Sequence, residues 1–259
     1  MLTSKRGRTP IIAGLLALAL LACGGKAWAK DRATGGHRTA AVIAAIDAYN
    51  RGDIGFAYRA LRAEAERGDS DAQVNLGYLF ARGQGVRADQ LEAFRLYALS
   101  AKQGNGEGMN ALGFKYEHGT GIRPDAAKAV HWYCLAIARG NPRAMNNLAL
   151  MLDAGKAVPK DRAEARSLWQ QAAALDHVNA MYNLGVSYLA DRDLPADPAE
   201  GQRWIFAAAR RGHGGAAQLM RRFGYTGPLP QIVDFAAQME LQPRDAAPGH
   251  AAICGDLIS

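Results

Sequence analysis

The sequence predicts an all-α fold, namely a solenoid of antiparallel helix pairs built on a 36-residue repeat. A leucine followed by a small residue recurs at Leu76-Gly77, Leu112-Gly113, Leu148-Ala149 and Leu184-Gly185. An aspartate recurs in the same register, at Asp89, Asp125, Asp161 and Asp197. Within a unit, apolar residues have the spacing of one helix face, as at Ala72, Leu76 and Phe80. Repeats of this length are typical of stacked units that bury a core only against their neighbours.

Residues 1–29 have the pattern of a signal peptide, with a basic start, an apolar run of twelve residues and then small residues. This run is shorter than the roughly 20 residues that cross a hydrocarbon core. Two processing sites compete. Ala27-Trp28-Ala29 fits ordinary signal peptidase and predicts a periplasmic or secreted protein. Leu20-Leu21-Ala22-Cys23 resembles a bacterial lipobox and predicts a lipid on Cys23 that anchors the protein to the envelope.

Residues 30–38 are predicted to form a linker, and residues 39–224 about five helix-pair units with atypical ends. An aspartate column is predicted to N-cap the second helix of each unit, at Asp53, Asp89, Asp125, Asp161 and Asp197. Glutamates three residues further on predict reciprocal capping boxes, at Glu92, Glu164 and Glu200. Glycines with left-handed backbone are predicted to end the first helices, at Gly83, Gly119 and Gly155.

The glycine that follows the repeated leucine lies inside a helix, where glycine costs up to about 1 kcal/mol relative to alanine. Three of the four units keep it, at Gly77, Gly113 and Gly185. Its recurrence predicts a place where two helix backbones approach too closely for a side chain.

Residues 225–259 leave the repeat register. Pro230 is suited to the first position of a short helix, in which Ile232, Phe235 and Met239 share a face. The sequence therefore predicts a capping helix over the open end of the array, followed by an irregular tail.

The net charge of +7 does not indicate a nucleic-acid partner. Residues 1–29 contain four basic residues and no acidic ones, so the chain without this leader has a charge of only +3. A charge of this size is typical of an ordinary solvated surface. Any contact with a membrane is expected only through the leader or a lipid on Cys23.

Two cysteines remain after removal of the leader, Cys134 and Cys254. An even number in an oxidising compartment makes a disulfide that ties the tail to the second full repeat physically reasonable. The alternative is a pair of free thiols. Cys134 shares its repeat column with Ala98 and Gln170, and the glutamine predicts that this column is exposed.

The segment 71–105, DAQVNLGYLFARGQGVRADQLEAFRLYALSAKQGN, resembles the Sel1-like repeat family, which is related to the tetratricopeptide repeats. The likeness extends over residues 40–224. It implies a right-handed α-solenoid with a concave inner face, in an exported bacterial adaptor. One subgroup of the family has been linked to β-lactam binding or hydrolysis, but its members carry a cysteine pair in each repeat. This array contains a single cysteine, which weakens any transfer of that activity.

No catalytic or metal-binding motif stands out in the sequence. The six histidines include no H-E-x-x-H pair and no cysteine–histidine cluster at zinc spacing. Neither Ser100 nor Ser187 lies in a G-x-S-x-G turn. We therefore expect a protein without enzymatic activity, catalytic residues, cofactor or metal.

The candidate ligand-binding residues lie on the face of the first helices that the core does not use. In related solenoids this face lines the concave groove. Asparagines offer hydrogen-bond donors and acceptors suited to a peptide backbone or a glycan, and aromatic or aliphatic residues three positions further on offer anchors. These candidates are Asn75, Tyr78, Asn110, Phe114, Asn146, Asn147 and Asn183. The alternative is that the asparagines bond a neighbouring helix.

The sequence thus favours an exported adaptor that binds a protein or peptide partner of the cell envelope through its concave face. One alternative is an accessory protein, lipid-anchored or soluble, that associates with envelope polysaccharide or peptidoglycan. A third hypothesis is a β-lactam-recognising hydrolase. Against it, the sequence shows no activated nucleophile and no positioned acid–base pair.

Overall fold

The computed structural model describes residues 39–190, 193–224 and 253–254. This part of the chain is all-α, as predicted, and has no strands. Its eleven main helices are α1 (Ala40–Asn50), α2 (Ile54–Glu66), α3 (Ser70–Arg82), α4 (Gln90–Lys102), α5 (Gly106–His118), α6 (Ala126–Ile137), α7 (Pro142–Ala154), α8 (Arg162–Ala174), α9 (Val178–Ala190), α10 (Pro198–Arg210) and α11 (Gly214–Arg222).

Each helix packs mainly against the helices before and after it, which is the arrangement of a solenoid. We call α3, α5, α7 and α9 the first helices and α4, α6, α8 and α10 the second helices. Among the contacts between helices that are not consecutive, the strongest join α3 to α5 and α5 to α7. The first helices therefore form the tighter, inner layer of the array.

An aspartate caps α2 and each of the second helices. Its side chain accepts a hydrogen bond from the backbone N–H three residues on, with distances of 2.9 to 3.0 Å for Asp53, Asp89, Asp125, Asp161 and Asp197. The prediction of reciprocal capping boxes is wrong. The backbone N–H groups of Asp89, Asp161 and Asp197 instead donate to carbonyl oxygens of the preceding helix, at 3.0 to 3.1 Å. Glu92 instead forms an ion pair with Arg95 on the next helical turn.

The glycines inside the first helices make room for a side chain rather than for a backbone. A Cβ atom on Gly77 would lie 2.6 Å from the ring of Tyr97, and one on Gly113 would lie 2.6 Å from the ring of Tyr133. In these two units the prediction of close backbone contact is therefore wrong, because an aromatic side chain of the second helix occupies the space. Gly185 fits the prediction better, since its Cβ would lie 3.0 Å from the carbonyl oxygen of Gly201.

A disulfide bond joins Cys134 on α6 to Cys254, with the two Cα atoms 5.3 Å apart. The prediction that Cys134 is exposed is wrong, because it is 1% exposed and Cys254 is 6% exposed. Ile253 packs against the same core cluster. The chain end is therefore fastened to the middle of the array, and two repeats separate α6 from α11.

Several predicted features fall outside the described residues. These are the signal peptide at 1–29, Cys23 and both processing sites, the linker at 30–38, and the capping helix and irregular tail, except for Ile253 and Cys254. Among the helices that the structure describes, none combines the length and the apolar character needed to cross a bilayer.

Candidate functional site

The inner face of the array is defined by a contact between units that are not neighbours. Arg143 on α7 donates through Nη1 to the hydroxyl of Tyr78 on α3 at 3.4 Å, across the intervening α5. Such a contact can form only on the concave side of the array, where the first helices converge. The column of Tyr78 therefore marks the inner face, and its other members are Phe114, Leu150 and Val186.

Two neighbouring members of this column are large, apolar and exposed. Phe114 is 38% exposed and Leu150 is 44% exposed. They occupy equivalent positions on α5 and α7, which are in direct contact. The ring of Phe114 stacks on the ring of His118, with the centroids 4.0 Å apart and the planes at 23°. We call Phe114 and Leu150 the inner apolar patch.

Tyr78 belongs to the wall of the groove rather than to its open surface. Its ring makes an edge contact with Tyr97, with the centroids 5.5 Å apart. Burial raises the pKa of the Tyr78 phenol above its ordinary value. Arg143, which bonds this phenol, also pairs with Glu107 at 3.3 Å, so one charged network joins three consecutive units.

The sequence prediction did not include Glu107 or Arg143. The two residues are 36 positions apart, so they share one repeat column in adjacent units. Their opposite charges in this column are the sequence signal that identifies the pair. Asn141, the N-cap of α7, also donates to Glu107 at 3.1 Å. The network therefore fixes the start of α7 against α5.

The predicted asparagines use their amides inside the protein. Asn147 donates to Asn110 at 3.0 Å and Asn183 donates to Asn146 at 2.9 Å, so each pair joins two adjacent units. Asn75 donates to the carbonyl of Asp71 on its own helix at 2.8 Å. Three of these asparagines are buried, namely Asn75, Asn110 and Asn146. This geometry matches the alternative role, in which the amides bond neighbouring helices.

A second polar cluster borders the inner apolar patch. Glu117 accepts a hydrogen bond from the hydroxyl of Tyr133 at 2.8 Å and forms an ion pair with Lys156 at 3.1 Å. Burial, together with the nearby carboxylate, raises the pKa of the Tyr133 phenol far above its ordinary value. Lys156 is about half exposed and places a positive charge at the edge of the groove.

The outer side of the array contains a cleft of about 580 Å³ between α2, α3 and α4. Leu76, Phe80 and Leu96 line it, with Arg62 and Arg95 also among the lining residues. Leu96 occupies the repeat column that holds Trp132 and Trp204 in other units.

The described ranges contain no group of three or more histidine, cysteine, aspartate or glutamate side chains that could hold a metal ion. Burial, with a smaller contribution from Arg143, lowers the pKa of His177 to about 4. This imidazole accepts a hydrogen bond from the backbone N–H of Ala180 at 3.2 Å, so it caps a helix.

Stacked helix pairs with an inner layer of first helices define the chain as an α-solenoid repeat protein. The family model described as Sel1 repeat matches residues 70–105, 106–141, 142–177 and 178–213, which together make up more than half of the chain. The chain belongs to the Sel1 repeat family.

Solved structures share this fold. A Sel1 repeat protein from Oxalobacter formigenes is 23% identical and superposes with a TM-score of 0.64, over 84% of this chain and 85% of the other. A putative Sel1 repeat protein from Klebsiella pneumoniae is 21% identical, with a TM-score of 0.52 over 75% and 97% of the two chains. An immunity protein from Pseudomonas aeruginosa is 21% identical, with a TM-score of 0.52 over 78% and 74%. The comparison with curated proteins found no significant match.

Proposed function

We propose that this protein is an exported, non-enzymatic adaptor that binds a protein or peptide partner at the inner apolar patch. A Sel1 repeat solenoid suggests a scaffold for protein–protein interaction. The observation that carries the proposal is the exposure of Phe114 and Leu150 at equivalent positions of two contacting helices. Large apolar side chains clustered in a concave surface are typical anchors for a partner.

Export is supported by the disulfide as well as by the leader pattern. Bonds such as Cys134–Cys254 persist in oxidising compartments and are rare in the reducing cytosol. A buried disulfide in a chain with an apolar N-terminal segment fits a protein that works in the periplasm, on the envelope surface or outside the cell. Cleavage before Lys30 and lipidation of Cys23 are two ways to reach this compartment, and the mass of the mature protein distinguishes them.

A protein or peptide ligand is favoured over a glycan because of where the asparagine amides point. The glycan alternative depends on free amides that bond sugar hydroxyls. The amides of Asn147 and Asn183 donate to the preceding unit of the array, and Asn110 and Asn146 accept these bonds. The inner apolar patch remains as the available anchor, and it suits apolar side chains.

The test is in-cell crosslinking of the tagged protein followed by mass spectrometry. The variant Phe114→Ala/Leu150→Ala removes the inner apolar patch, and Leu91→Ala/Leu175→Ala is the matched control. The control residues are also large and exposed, at 65% and 44%, but they do not belong to the inner column. We expect a stoichiometric partner that the control retains and the patch variant loses, with unchanged helical content in both.

Two results would count against this proposal. Equal capture of the partner by the patch variant would place binding elsewhere on the molecule. Retention on purified peptidoglycan or polysaccharide, with no protein lost from the patch variant, would favour the envelope-glycan alternative. The partner that is identified is then titrated against purified wild type and patch variant, and a Kd raised at least tenfold is expected for the patch variant.

A further inference from the structure

The N-cap column of the first helices changes its chemistry along the array. Asp69, Asn105 and Asn141 cap α3, α5 and α7 through side-chain oxygen atoms, at 2.8, 3.1 and 3.0 Å from the backbone nitrogen three residues on. His177 and His213 occupy the same column in the last two units. Their Nδ1 atoms accept from the backbone N–H of the third residue on, at 3.2 and 3.1 Å.

An imidazole nitrogen caps a helix only while the ring is neutral. Protonation turns both ring nitrogens into donors, so the bond from the backbone N–H is lost. The resulting cation also lies at the positive end of the helix dipole, which opposes it. An asparagine at this column has no such dependence on pH, because its amide does not titrate in this range.

Burial opposes the charged form of both rings. His177 lies near the guanidinium of Arg143 on α7, and the neighbouring Asp176 is engaged with Arg211 at 2.6 Å. The ring of His213 stacks on Tyr182 of α9, with the centroids 4.3 Å apart. Burial lowers the pKa of both histidines, to about 4 for His177.

We propose that His177 and His213 together form an acid-sensitive device, which loosens the starts of α9 and α11 on acidification and leaves α3, α5 and α7 capped. Two consecutive units carry the same substitution at the same column, and both rings make the capping bond. The device acts on the C-terminal part of the array. Near neutral pH the oxygen caps of α3, α5 and α7 keep their acceptor atoms, whereas the histidine caps of α9 and α11 lose theirs on protonation.

The sign of the pH dependence follows from the lowered pKa values. An unfolded histidine takes up its proton near pH 6.5, whereas folded His177 resists protonation until about pH 4. The unfolded form therefore binds more protons between these values, so folding of the C-terminal units weakens as the pH falls through this window. For His177 the opening equilibrium constant rises roughly tenfold for each pH unit.

Loosening of α9 also reaches the inner face. Asn183 on α9 donates to Asn146 on α7 at 2.9 Å, and Val186 continues the column of the inner apolar patch. This consequence for binding rests on the proposed function. The acid-sensitive opening itself does not, because it is measured on the purified protein without a partner.

Hydrogen exchange with mass spectrometry tests the proposal at pH 7 and pH 5, after correction for the intrinsic exchange rates. Wild type should lose protection at least tenfold at residues 178–184 and to a measurable degree at 214–220, and keep it at 106–112 and 142–148. The variant His177→Asn/His213→Asn, which installs the caps of Asn105 and Asn141, should keep protection at both pH values within about twofold. The control His118→Asn/His131→Asn should behave as wild type.

Identical pH profiles of wild type and the His177→Asn/His213→Asn variant would overturn the proposal. So would a loss of protection that begins in α5 or α7. NMR titration of the wild-type imidazoles supplies a measurement that does not depend on any variant. Two histidines should titrate below the ordinary range, and ordinary titration of His177 and His213 near pH 6.5 would contradict the device.

Discussion

Removal of the Cys134–Cys254 disulfide should destabilise one part of the array and spare the other. The bond joins residues 120 positions apart, and the loop that it closes contains α7 to α11 in full. Without the bond, the chain from α7 to α11 would be free to move away from α6 in the unfolded state. The bond limits that freedom, and its stabilising effect should therefore concentrate in the units that the loop contains.

The magnitude follows from the length of the loop. The chain-entropy relation gives a stabilisation of about 4.9 kcal/mol for a loop of 120 residues, as an upper value. With a urea m-value of about 2 to 3 kcal/mol/M, this corresponds to a midpoint shift of roughly 1.5 to 2.5 M. The side chains themselves contribute less, because replacing a buried cysteine with alanine removes only one sulfur atom.

The assay compares wild type with Cys134→Ala/Cys254→Ala by urea unfolding, followed by circular dichroism, and by hydrogen exchange in each helix. We expect a lower midpoint in the variant and a loss of protection in α6 to α11, with α1 to α5 unchanged. A reducing agent should lower the midpoint of wild type and have no effect on the variant. A midpoint shift below about 0.3 M, or equal loss of protection in α1 to α5, would refute the reasoning.

Three further changes test the packing of the units by urea unfolding. Gly113→Ala should be destabilising, because the overpacking cost against the ring of Tyr133, about 1–3 kcal/mol, exceeds the gain in helix propensity. A more stable variant would contradict this. Asp161→Ala should lower the free energy of unfolding by about 1 kcal/mol through loss of the bond from Glu164 N–H, whereas Asp161→Asn should keep most of it. Leu96→Trp should fill the outer cleft and raise the free energy of unfolding by about 0.5–2 kcal/mol, and a decrease would show that the ring does not fit.

The fold could be predicted because its signals are local and repeated. Helical spacing and capping aspartates act within a few residues and recur in four units in one register, and end glycines recur in three of these units. The sequence prediction missed the column of residues that cap the first helices. Its 36-residue spacing runs through Asp69, Asn105 and Asn141 and continues at His177 and His213. Histidine is not a preferred N-cap residue, so the column is not obvious from residue preferences alone.

The candidate site was harder to predict, because periodicity groups residues into columns without giving the direction of their polar atoms. The amide of Asn147 would follow the same 36-residue pattern whether it faced the groove or Asn110. The same limit explains the error at Cys134. Gln170 in the sister unit suggested an exposed column, but its amide donates to the hydroxyl of Tyr188 at 2.9 Å.

The polar bonds between units set a rule for how the chain can change in length. Asn147 bonds a residue 37 positions earlier, Asn183 does the same, and Arg143 bonds a residue 36 positions earlier. A whole inserted unit would present the same partners again at the same offsets. An insertion of one residue inside a first helix would instead rotate every later side chain on that helix by about 100° and separate these partners. The array can therefore grow or shrink in steps of complete units, and its inner surface lengthens in the same steps.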